Sequence, residues 1–358
     1  MTYNSEFFIG DRKISAESPT YFIADIAANH DGDLDRAKML IKLAKEAGAD
    51  CAKFQHFKAN AIVSAVGFDT MGSQVSHQAK WKKSVSEIYD QYHTRREWTD
   101  ELVRTANEVG IDFMTTPYDL EAVEMFKDIV PAFKVGSGDI TFRQSFMKMA
   151  ESGKPILLAT GASTMDEVVE VVEMITAVNP NLCLLQCNTN YTGSLDNFNY
   201  VNLRVITTFL AKWPGLIVGF SDHTPGHSAV LGAVSLGARV VEKHFTDDNS
   251  REGPDHSFAL NPVTWAAMVE GVRELEAALG DGVKRIEENE TETVVIQRRS
   301  LRLTRDMNAG EILQPTDLEA LRPCPNGAVS PMHSEAIEGR TLGVSKKKGA
   351  EILWTDLS

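Results

Sequence analysis

Eight short apolar runs, each followed by an amphipathic stretch, constrain the fold of this chain more than any other feature of its sequence. The runs lie at 21–27, 51–55, 112–116, 132–136, 155–160, 182–187, 216–221 and 239–245. In the stretches between them, such as 34–48, 97–110 and 163–178, apolar residues recur at three- and four-residue spacing, which is typical of helices buried on one face. Strands that alternate with helices indicate parallel βαβ units. Eight such units predict a closed (β/α)8 barrel of the α/β class.

The alternation ends near residue 280, and the remainder of the chain has a different pattern. Residues 286–297 are predicted to be a charged linker, and residues 298–358 contain short runs separated by glycine turns. We therefore expect a barrel domain over residues 1–285 and a small β-rich domain over 298–358. A domain of that size is marginally stable alone, so it is expected to dock on something.

Composition narrows the classes of partner. The net charge of −14 argues against nucleic-acid binding, which requires a basic face, but allows an anionic substrate at a local cluster of lysines. The chain has no run of about 18 apolar residues and no apolar signal-peptide core near its start, so no membrane partner is expected. Its four cysteines form no CxxC pair and are expected to be free thiols in a reducing compartment. These features predict a cytoplasmic protein.

Polar and ionisable residues lie at the end of nearly every apolar run. They are Asp25, Asn29 and His30, then Lys53 and Gln55, Thr115 and Thr116, Lys134, Ser137 and Asp139, Thr160, Asn188, Thr189, Asn190 and Tyr191, Ser221, Asp222 and His223, and Glu242, Lys243 and His244. Active sites of (β/α)8 barrels lie at the carboxyl ends of the strands. A nearly complete ring of such residues predicts an active site there.

Two lysines, Lys53 and Lys134, lie inside apolar runs. An inward-facing lysine must be paired or must bind an anion, because an isolated buried charge is expensive. One interpretation is a phosphate or carboxylate clamp assisted by the hydroxyls of Thr116, Ser137 and Thr160. A structural pair with a carboxylate of a neighbouring strand and a Schiff-base lysine are the alternatives.

Two histidines, His223 and His244, lie at equivalent ends of adjacent predicted strands. Neighbouring strands are about 4.8 Å apart, so two imidazoles there can share one metal ion. With oxygen ligands completing the shell, the pair suits a divalent ion such as Mn²⁺, which would polarise a carbonyl oxygen. Two separately hydrogen-bonded histidines are the alternative. The polar loop 247–256 is long enough to cover the barrel mouth or to be a solvated surface loop.

A resemblance to the sialic acid synthase family lies in seven strings that occur in the order IADIAANHDGDL, AKFQ, FMTTPYD, FKVGSGD, LLATGAST, VGFSDHTPG and EKHFTDD. That family includes the N-acetylneuraminate, legionaminate and pseudaminate synthases. The segments RRSLRLTRDMNAGEI, EALRP, GRTLG and KKKGAEI resemble its SAF, or antifreeze-like, domain, a β-clip fold. The resemblance implies a domain-swapped homodimer in which the SAF domain of one subunit caps the barrel of the other.

The resemblance also implies a reaction and roles for individual residues. C3 of phosphoenolpyruvate would join the C1 aldehyde of an open-chain N-acetylhexosamine, water would attack C2, and phosphate would leave by C–O cleavage. The implied roles are metal ligands for His223 and His244, an acid/base for Asp25, phosphoenolpyruvate contacts for Lys53, Thr116, Lys134, Ser137, Thr160 and Thr189, and sugar contacts for Gln55, Asp139, Tyr191, Asp255 and Arg322.

Four positions depart from the commonest family pattern and leave the sugar open. Asp25 and Asp139 stand where Glu is usual, Thr189 stands where Asn often lies, and Ala159 stands where Ser is common. N-acetylmannosamine, a diacetamido-dideoxyhexose and a phosphorylated hexosamine all remain candidates. The loop 58–84 carries no assigned role, although His77 and Gln78 are residues of suitable chemistry.

The sequence also bears on three alternative activities. A keto-deoxy sugar acid synthase acting on a phosphorylated aldose is disfavoured, because the only other cations near the strand ends are Lys243 and Arg251. A Schiff-base aldolase would use Lys134 or Lys53. An ice-binding role for the second domain is disfavoured by its many charges, which are Arg298, Arg299, Arg302, Arg305, Lys346, Lys347 and Lys348.

Overall fold

The computed structural model describes residues 2–71, 81 and 83–358 of the chain. The chain forms two compact units, Met1–Gly280 and Asp281–Ser358. His77 and Gln78 lie outside the described residues.

A closed barrel of eight parallel strands forms the centre of the first unit. The strands of this unit are β1 (Glu6–Ile9), β2 (Arg12–Ser15), β3 (Tyr21–Asp25), β4 (Cys51–His56), β5 (Asp112–Pro117), β6 (Phe133–Val135), β7 (Ile156–Ala159), β8 (Leu182–Cys187), β9 (Ile217–Asp222) and β10 (Val240–His244). Strands β3 to β10 pair in chain order, and β10 pairs with β3 to close the barrel. Each of the eight apolar runs forms one barrel strand, so the predicted (β/α)8 fold is confirmed.

Helices follow the barrel strands. Those between successive strands are α1 (Leu34–Glu46), α2 (Ala59–Ile62), α3 (Ala65–Thr70), α4 (Val85–Tyr92), α5 (Thr99–Val109), α6 (Leu120–Phe126), α7 (Arg143–Glu151), α8 (Met165–Thr176), α9 (Val205–Lys212) and α10 (Ser228–Ser235). Helix α11 (Pro262–Leu279) follows the last strand. Side-chain caps fix several starts, as where Asp33 accepts from the backbone N–H of Arg36 at α1. Among the described residues, no helix is both long and apolar enough to cross a membrane.

Side chains of the barrel strands alternate between the lumen and the helix layer. Cys51, Met114 and Leu157 belong to an apolar cluster in the lumen, whereas Phe54 and Phe133 pack in the cluster beneath the helices. The amino-terminal hairpin of β1 and β2, which the sequence did not predict, adds Phe7, Ile9 and Ile14 to the lumen cluster. These three side chains contact residues at the starts of the barrel strands. The hairpin therefore covers the amino-terminal end of the barrel, and the carboxyl end stays open.

The second unit is small and rich in short strands and turns, as predicted. It contains α12 (Thr291–Gln297), β11 (Ser300–Leu303), β12 (Leu318–Leu321) and α13 (Ser334–Ile337). Strands β11 and β12 pair antiparallel, and Leu301, Leu303 and Ile352 lie in its core. Helix α12 falls in the segment predicted as a linker, and the carbonyl of Val295 accepts from the N–H of Cys324 at 2.9 Å. The four cysteines of the chain are all free.

Candidate active site

Strand register brings the polar residues of the carboxyl ends to one level of the lumen. Asp25 of β3 is opposite His244 of β10 on one side and Lys53 of β4 on the other. Gln55 of β4 is in turn opposite Thr116 of β5. Because side chains alternate along a strand, Asp25, Lys53 and Thr116 share the inward face with the apolar residues two positions before them.

A buried network of charges occupies the centre of this level. Lys53 Nζ lies 2.8 Å from Asp25 Oδ2 and 3.9 Å from Glu242 Oε2, while Lys134 Nζ lies 3.4 Å from Glu242 Oε1. Burial opposes the charge on Lys53, but Asp25 and Glu242 outweigh it and raise the lysine pKa. Both lysines are therefore paired with carboxylates, as the alternative interpretation required, and both border the open end of the lumen.

Glu242 is a residue to which the sequence assigned no role. It joins the two lysines across the lumen, and Ser221 Oγ donates to its Oε1 at 3.2 Å. Glu242 Oε2 and Asp25 Oδ1 are buried without a hydrogen-bond partner. Buried polar atoms are rarely left so, and these two oxygens point to water or a ligand at this place. In the sequence, Glu242 stands two positions before His244, and this spacing was the available signal that its side chain shares the inward face.

The two histidines lie side by side at the mouth, with ring centroids 5.4 Å apart. His223 Nδ1 donates to the carbonyl of Asn188 at 2.8 Å, which leaves Nε2 as its lone-pair nitrogen. His244 Nδ1 is buried without a partner, and Asp25 and Asp255 each place an oxygen 3.7 Å from the His244 ring nitrogens. Burial, with the charges of His223 and Lys53, holds the pKa of His244 well below its usual value, so its ring is neutral.

These two rings suit a divalent metal ion that keeps open coordination positions. An unpartnered neutral imidazole is the form that binds metal. The pKa of His223 is instead raised: burial lowers it, but Cys187 and the Asn188 carbonyl outweigh burial. Within the described part of the chain, no three His, Cys, Asp or Glu side chains form a complete metal site. The protein can therefore offer two nitrogens, and oxygens of water or substrate would supply the rest.

Small polar groups line the lumen between β6 and β8. The N–H of Gly161 donates to Ser137 Oγ at 2.9 Å, and Thr160 Oγ1 donates to the carbonyl of Leu185 at 3.0 Å. A Cβ on Gly161 would lie 2.6 Å from Thr189 Cγ2 and 2.9 Å from Ser137 Oγ, so only glycine fits there. The structure thus brings Ser137, Thr160 and Thr189 together around one glycine.

A cavity of about 200 Å³ opens beside the histidines. Its lining includes Gln55, Tyr191, His244 and Asp255, which the sequence analysis singled out, and an aromatic wall of Phe57, Trp81, Tyr89, Tyr92 and Tyr118, which it did not. Gln55 Nε2 donates to Asp25 Oδ2 at 3.1 Å, and the ring of Tyr191 is 4.3 Å from that of His223. Most of the wall comes from residues 57–92, where the sequence shows no strand-like run.

Several residues that the sequence analysis singled out are not among the described residues that line this cavity. Lys243 faces the helix layer, where its Nζ is 2.6 Å from Asp222 Oδ2 and both side chains are 1% exposed. Asn29 donates to the carbonyl of Phe245. Asp139 is half-buried in a 3-10 helix after β6 and is not part of the cavity lining. Arg322 is exposed on the second unit.

The fold and this site define the class of protein. A (β/α)8 barrel with two buried lysines, two carboxylates and a histidine pair at the carboxyl ends of its strands has the layout of a barrel enzyme. Comparison with protein-family models agrees: the NeuB family matches residues 40–284, and the SAF domain matches residues 298–358. The chain belongs to the NeuB family, which confirms the resemblance to the sialic acid synthases.

Individual relatives are similar over most of the chain. N,N'-diacetyllegionaminic acid synthase of Campylobacter jejuni is 35% identical over 90% of this chain and 95% of its own length. The N-acetylneuraminate-9-phosphate synthase of Homo sapiens is 38% identical over 77% of this chain and 75% of its own. A crystal structure of N-acetylneuraminic acid synthetase from Leptospira borgpetersenii, in complex with citrate, superposes with a TM-score of 0.70 at 26% identity over 82% of this chain and 96% of that one.

Proposed function

We propose that this enzyme is a nonulosonate synthase, a carbon–carbon bond-forming transferase. It condenses phosphoenolpyruvate with the aldehyde of an N-acylated hexosamine and releases phosphate. The observation that carries the proposal is that Asp25 contacts both Lys53, at 2.8 Å, and His244, at 3.7 Å. Lys134 joins this group through Glu242, and His223 lies beside His244. Relatives named for legionaminic, pseudaminic and N-acetylneuraminic acids support the class of product.

Phosphoenolpyruvate binds at the lysine side of the lumen. Its phosphate and carboxylate require cations there, because an uncompensated charge is expensive to bury. Lys53 and Lys134 supply two, each shared with a carboxylate, and Ser137 and Thr189 supply hydroxyls for phosphate oxygens. Thr160 joins them when its hydroxyl releases the carbonyl of Leu185. Thr116, which accepts from Lys53 Nζ at 3.2 Å, orients that ammonium group.

His223 and His244 are the residues that would hold a divalent ion, for which Mn²⁺ is our first choice. A bound ion supplies Lewis-acid polarisation of the aldehyde oxygen. Asp25, 3.7 Å from His244 Nε2 and 2.8 Å from Lys53 Nζ, is the group we assign to proton transfer at the same end. Lys53 compensates the charge of Asp25, and Gln55 orients the carboxylate by donating to the same oxygen, Oδ2.

The sugar occupies the cavity beside the histidines. Gln55, Tyr191 and Asp255 offer polar groups to its hydroxyls, and the aromatic wall offers an apolar surface to C–H bonds and an acyl methyl group. No lysine or arginine occurs among the lining residues that the structure describes. An unphosphorylated acceptor is therefore favoured over a sugar phosphate.

A panel of aldoses tests this function. The protein with Mn²⁺ and phosphoenolpyruvate is offered N-acetylmannosamine, mannose, diacetamido-dideoxyhexoses and N-acetylmannosamine 6-phosphate. Phosphate release together with a product three carbons longer than one aldose is the expected result. Release of phosphate only with the 6-phosphate would overturn the assignment of an unphosphorylated acceptor. Borohydride trapping of Lys53 or Lys134 with pyruvate would favour the Schiff-base alternative instead.

Acidification is expected to weaken use of the sugar through Asp139. Burial raises the pKa of this carboxyl to about 6, although Lys134 opposes the shift. Since the raised pKa belongs to the folded state, the carboxylate is lost as pH falls through about 6, and its charge costs stability above that pH. Burial raises the pKa of Asp255, which lines the cavity, to about 6 as well. We therefore expect kcat/KM for the sugar to fall below about pH 6, and Asp139→Asn to make this fall less steep without abolishing it. A fall as steep in Asp139→Asn as in the wild type would remove Asp139 from sugar binding.

We further propose that the enzyme is a domain-swapped dimer in which Arg322 reaches the sugar acyl group of the partner barrel. Arg322→Ala should then raise the KM of the sugar about tenfold or more, the usual cost of a hydrogen bond to a charged group, and leave the KM of phosphoenolpyruvate unchanged. Arg298→Ala, at another exposed arginine of the second unit, is the matched control.

Mixed dimers test the swap directly. Arg322→Ala and His244→Ala subunits, each deficient alone, should regain activity when combined, because one of the two sites then receives an intact barrel and an intact arginine. A mixture no more active than its components would show that each subunit uses its own Arg322.

A further inference from the structure

We propose that a cluster of Asp31, Arg36, Arg251 and His256, here called the loop clamp, positions Asp255 and thereby sets the affinity of the enzyme for its sugar. The inference rests on the proposed function, in which Asp255 contacts the sugar. None of the four residues lines the cavity itself. They act through Asp255 and are positioning residues.

The carboxylate of Asp31 is the hub of the loop clamp. Its Oδ1 accepts from His256 Nε2 at 2.9 Å, and its Oδ2 accepts from Arg251 at 2.9 and 2.7 Å, with Arg36 Nε 3.2 Å away. Burial opposes the charge of Asp31, but the hydrogen bonds from His256 and Arg251 outweigh it and lower the pKa. Three segments meet at this one side chain: the loop after β3, helix α1 and the loop 247–256.

His256 ties the two ends of the loop 247–256 together. Its side chain is fully buried, and its Nδ1 lies 2.7 Å from the hydroxyl of Thr246, the residue that precedes the loop. A Cβ on Gly253 would lie 2.6 Å from the His256 ring, so the loop passes the ring only as glycine. A merely solvated loop would have no need to bury a histidine with both ring nitrogens bonded.

Asp255, the neighbour of His256, is held at the cavity as a result. Its Oδ2 accepts from the N–H of Ala28 at 3.3 Å and lies 3.7 Å from His244 Nδ1. The turn that presents Ala28 is strained, because Ala27 and Asp31 adopt positive φ of 45° and 53°. Such conformations persist where the surrounding contacts hold them in place. The carboxylate of Asp31 is held by the side chains of Arg251, His256 and Arg36. The loop clamp therefore fixes both the loop that carries Asp255 and the turn that receives it.

Asp31→Asn tests the loop clamp, because Asn tolerates positive φ as well as Asp does but lacks the charge. With N-acetylmannosamine, or the aldose that the panel identifies, the KM of the sugar should rise about tenfold, while the KM of phosphoenolpyruvate stays within about twofold. Asp248→Asn, at an exposed carboxylate in the same loop, should change neither KM. In an Asp255→Ala background, Asp31→Asn should add little, since both act through one contact.

Equal rises in both KM values, or an effect of Asp31→Asn that is fully additive with Asp255→Ala, would overturn the proposal. Should Asp31→Asn fail to fold, Arg251→Gln replaces it, because Arg251 is 41% exposed and its loss creates no cavity in the core. Amide hydrogen exchange over residues 247–256 provides a readout independent of activity. Faster exchange in Asp31→Asn than in Asp248→Asn is expected even if no aldose is turned over, and unchanged exchange would refute the loop clamp whatever the reaction.

Discussion

Replacement of His244 with alanine is expected to lower kcat/KM about a thousandfold or more and to leave the protein folded. Lewis-acid polarisation of a carbonyl is worth several kcal/mol, and each 1.36 kcal/mol is a factor of about ten in rate. The fold should survive because His244 Nδ1 has no hydrogen-bond partner to lose. Treatment of the wild-type enzyme with chelator should have a similar effect, reversed by Mn²⁺. Steady-state kinetics and metal content per subunit measure both.

A control for this variant lies close by in the chain. His227→Ala removes a histidine that follows the same strand as His223 and makes no side-chain hydrogen bond at the start of α10. It should retain the metal content and kcat/KM of the wild type. Full activity of the wild-type enzyme in excess chelator would eliminate the metal assignment, and a His244→Ala enzyme with normal metal content would move the site elsewhere.

Loss of the Lys243 charge should lower the stability of the fold strongly. Lys243→Met leaves Asp222 buried with Thr224 as its remaining partner, whereas the native carboxylate also accepts from Lys243 Nζ at 2.6 Å. Removal of one member of a buried ion pair costs about 3–5 kcal/mol, because an uncompensated charge remains in the interior. We expect the free energy of unfolding, measured by urea denaturation, to fall by about that amount.

Two further variants separate this effect from a general loss of charge. Lys347→Met breaks an ion pair with Asp306 whose side chains are 86% and 58% exposed, and solvent screening should leave the stability almost unchanged. Lys243→Met combined with Asp222→Leu removes both buried charges and should recover much of the loss. A Lys243→Met enzyme of native stability that has lost activity would instead return Lys243 to the substrate site.

The sequence predicted which polar residues lie at the carboxyl ends of the barrel strands, but not in every case whether the side chain points into the lumen. Lys53 and Lys134 were expected in the lumen and lie there, paired with carboxylates. Lys243 was counted with them as a cation at a strand end, yet it pairs with Asp222 on the helix side of the strand. In a strand buried on both faces, apolar residues occur on both sides, so composition does not reveal which side is the lumen. The role of Glu242 was missed although its spacing of two from His244 puts both side chains on one face of the strand.

The eight strands, the helices between them and the small second domain were determined by the sequence alone, because hydrophobic periodicity and turn residues are properties of consecutive positions. The same holds for the polar strand ends, since parallel strands place their carboxyl ends together. Only the tertiary structure decided that Glu242 joins two lysines, that Phe57, Trp81, Tyr89 and Tyr92 form most of an aromatic wall and that Asp31 meets His256. Those contacts join residues far apart in the chain, and closure of the barrel and packing of its loops set their distances, which no local pattern encodes.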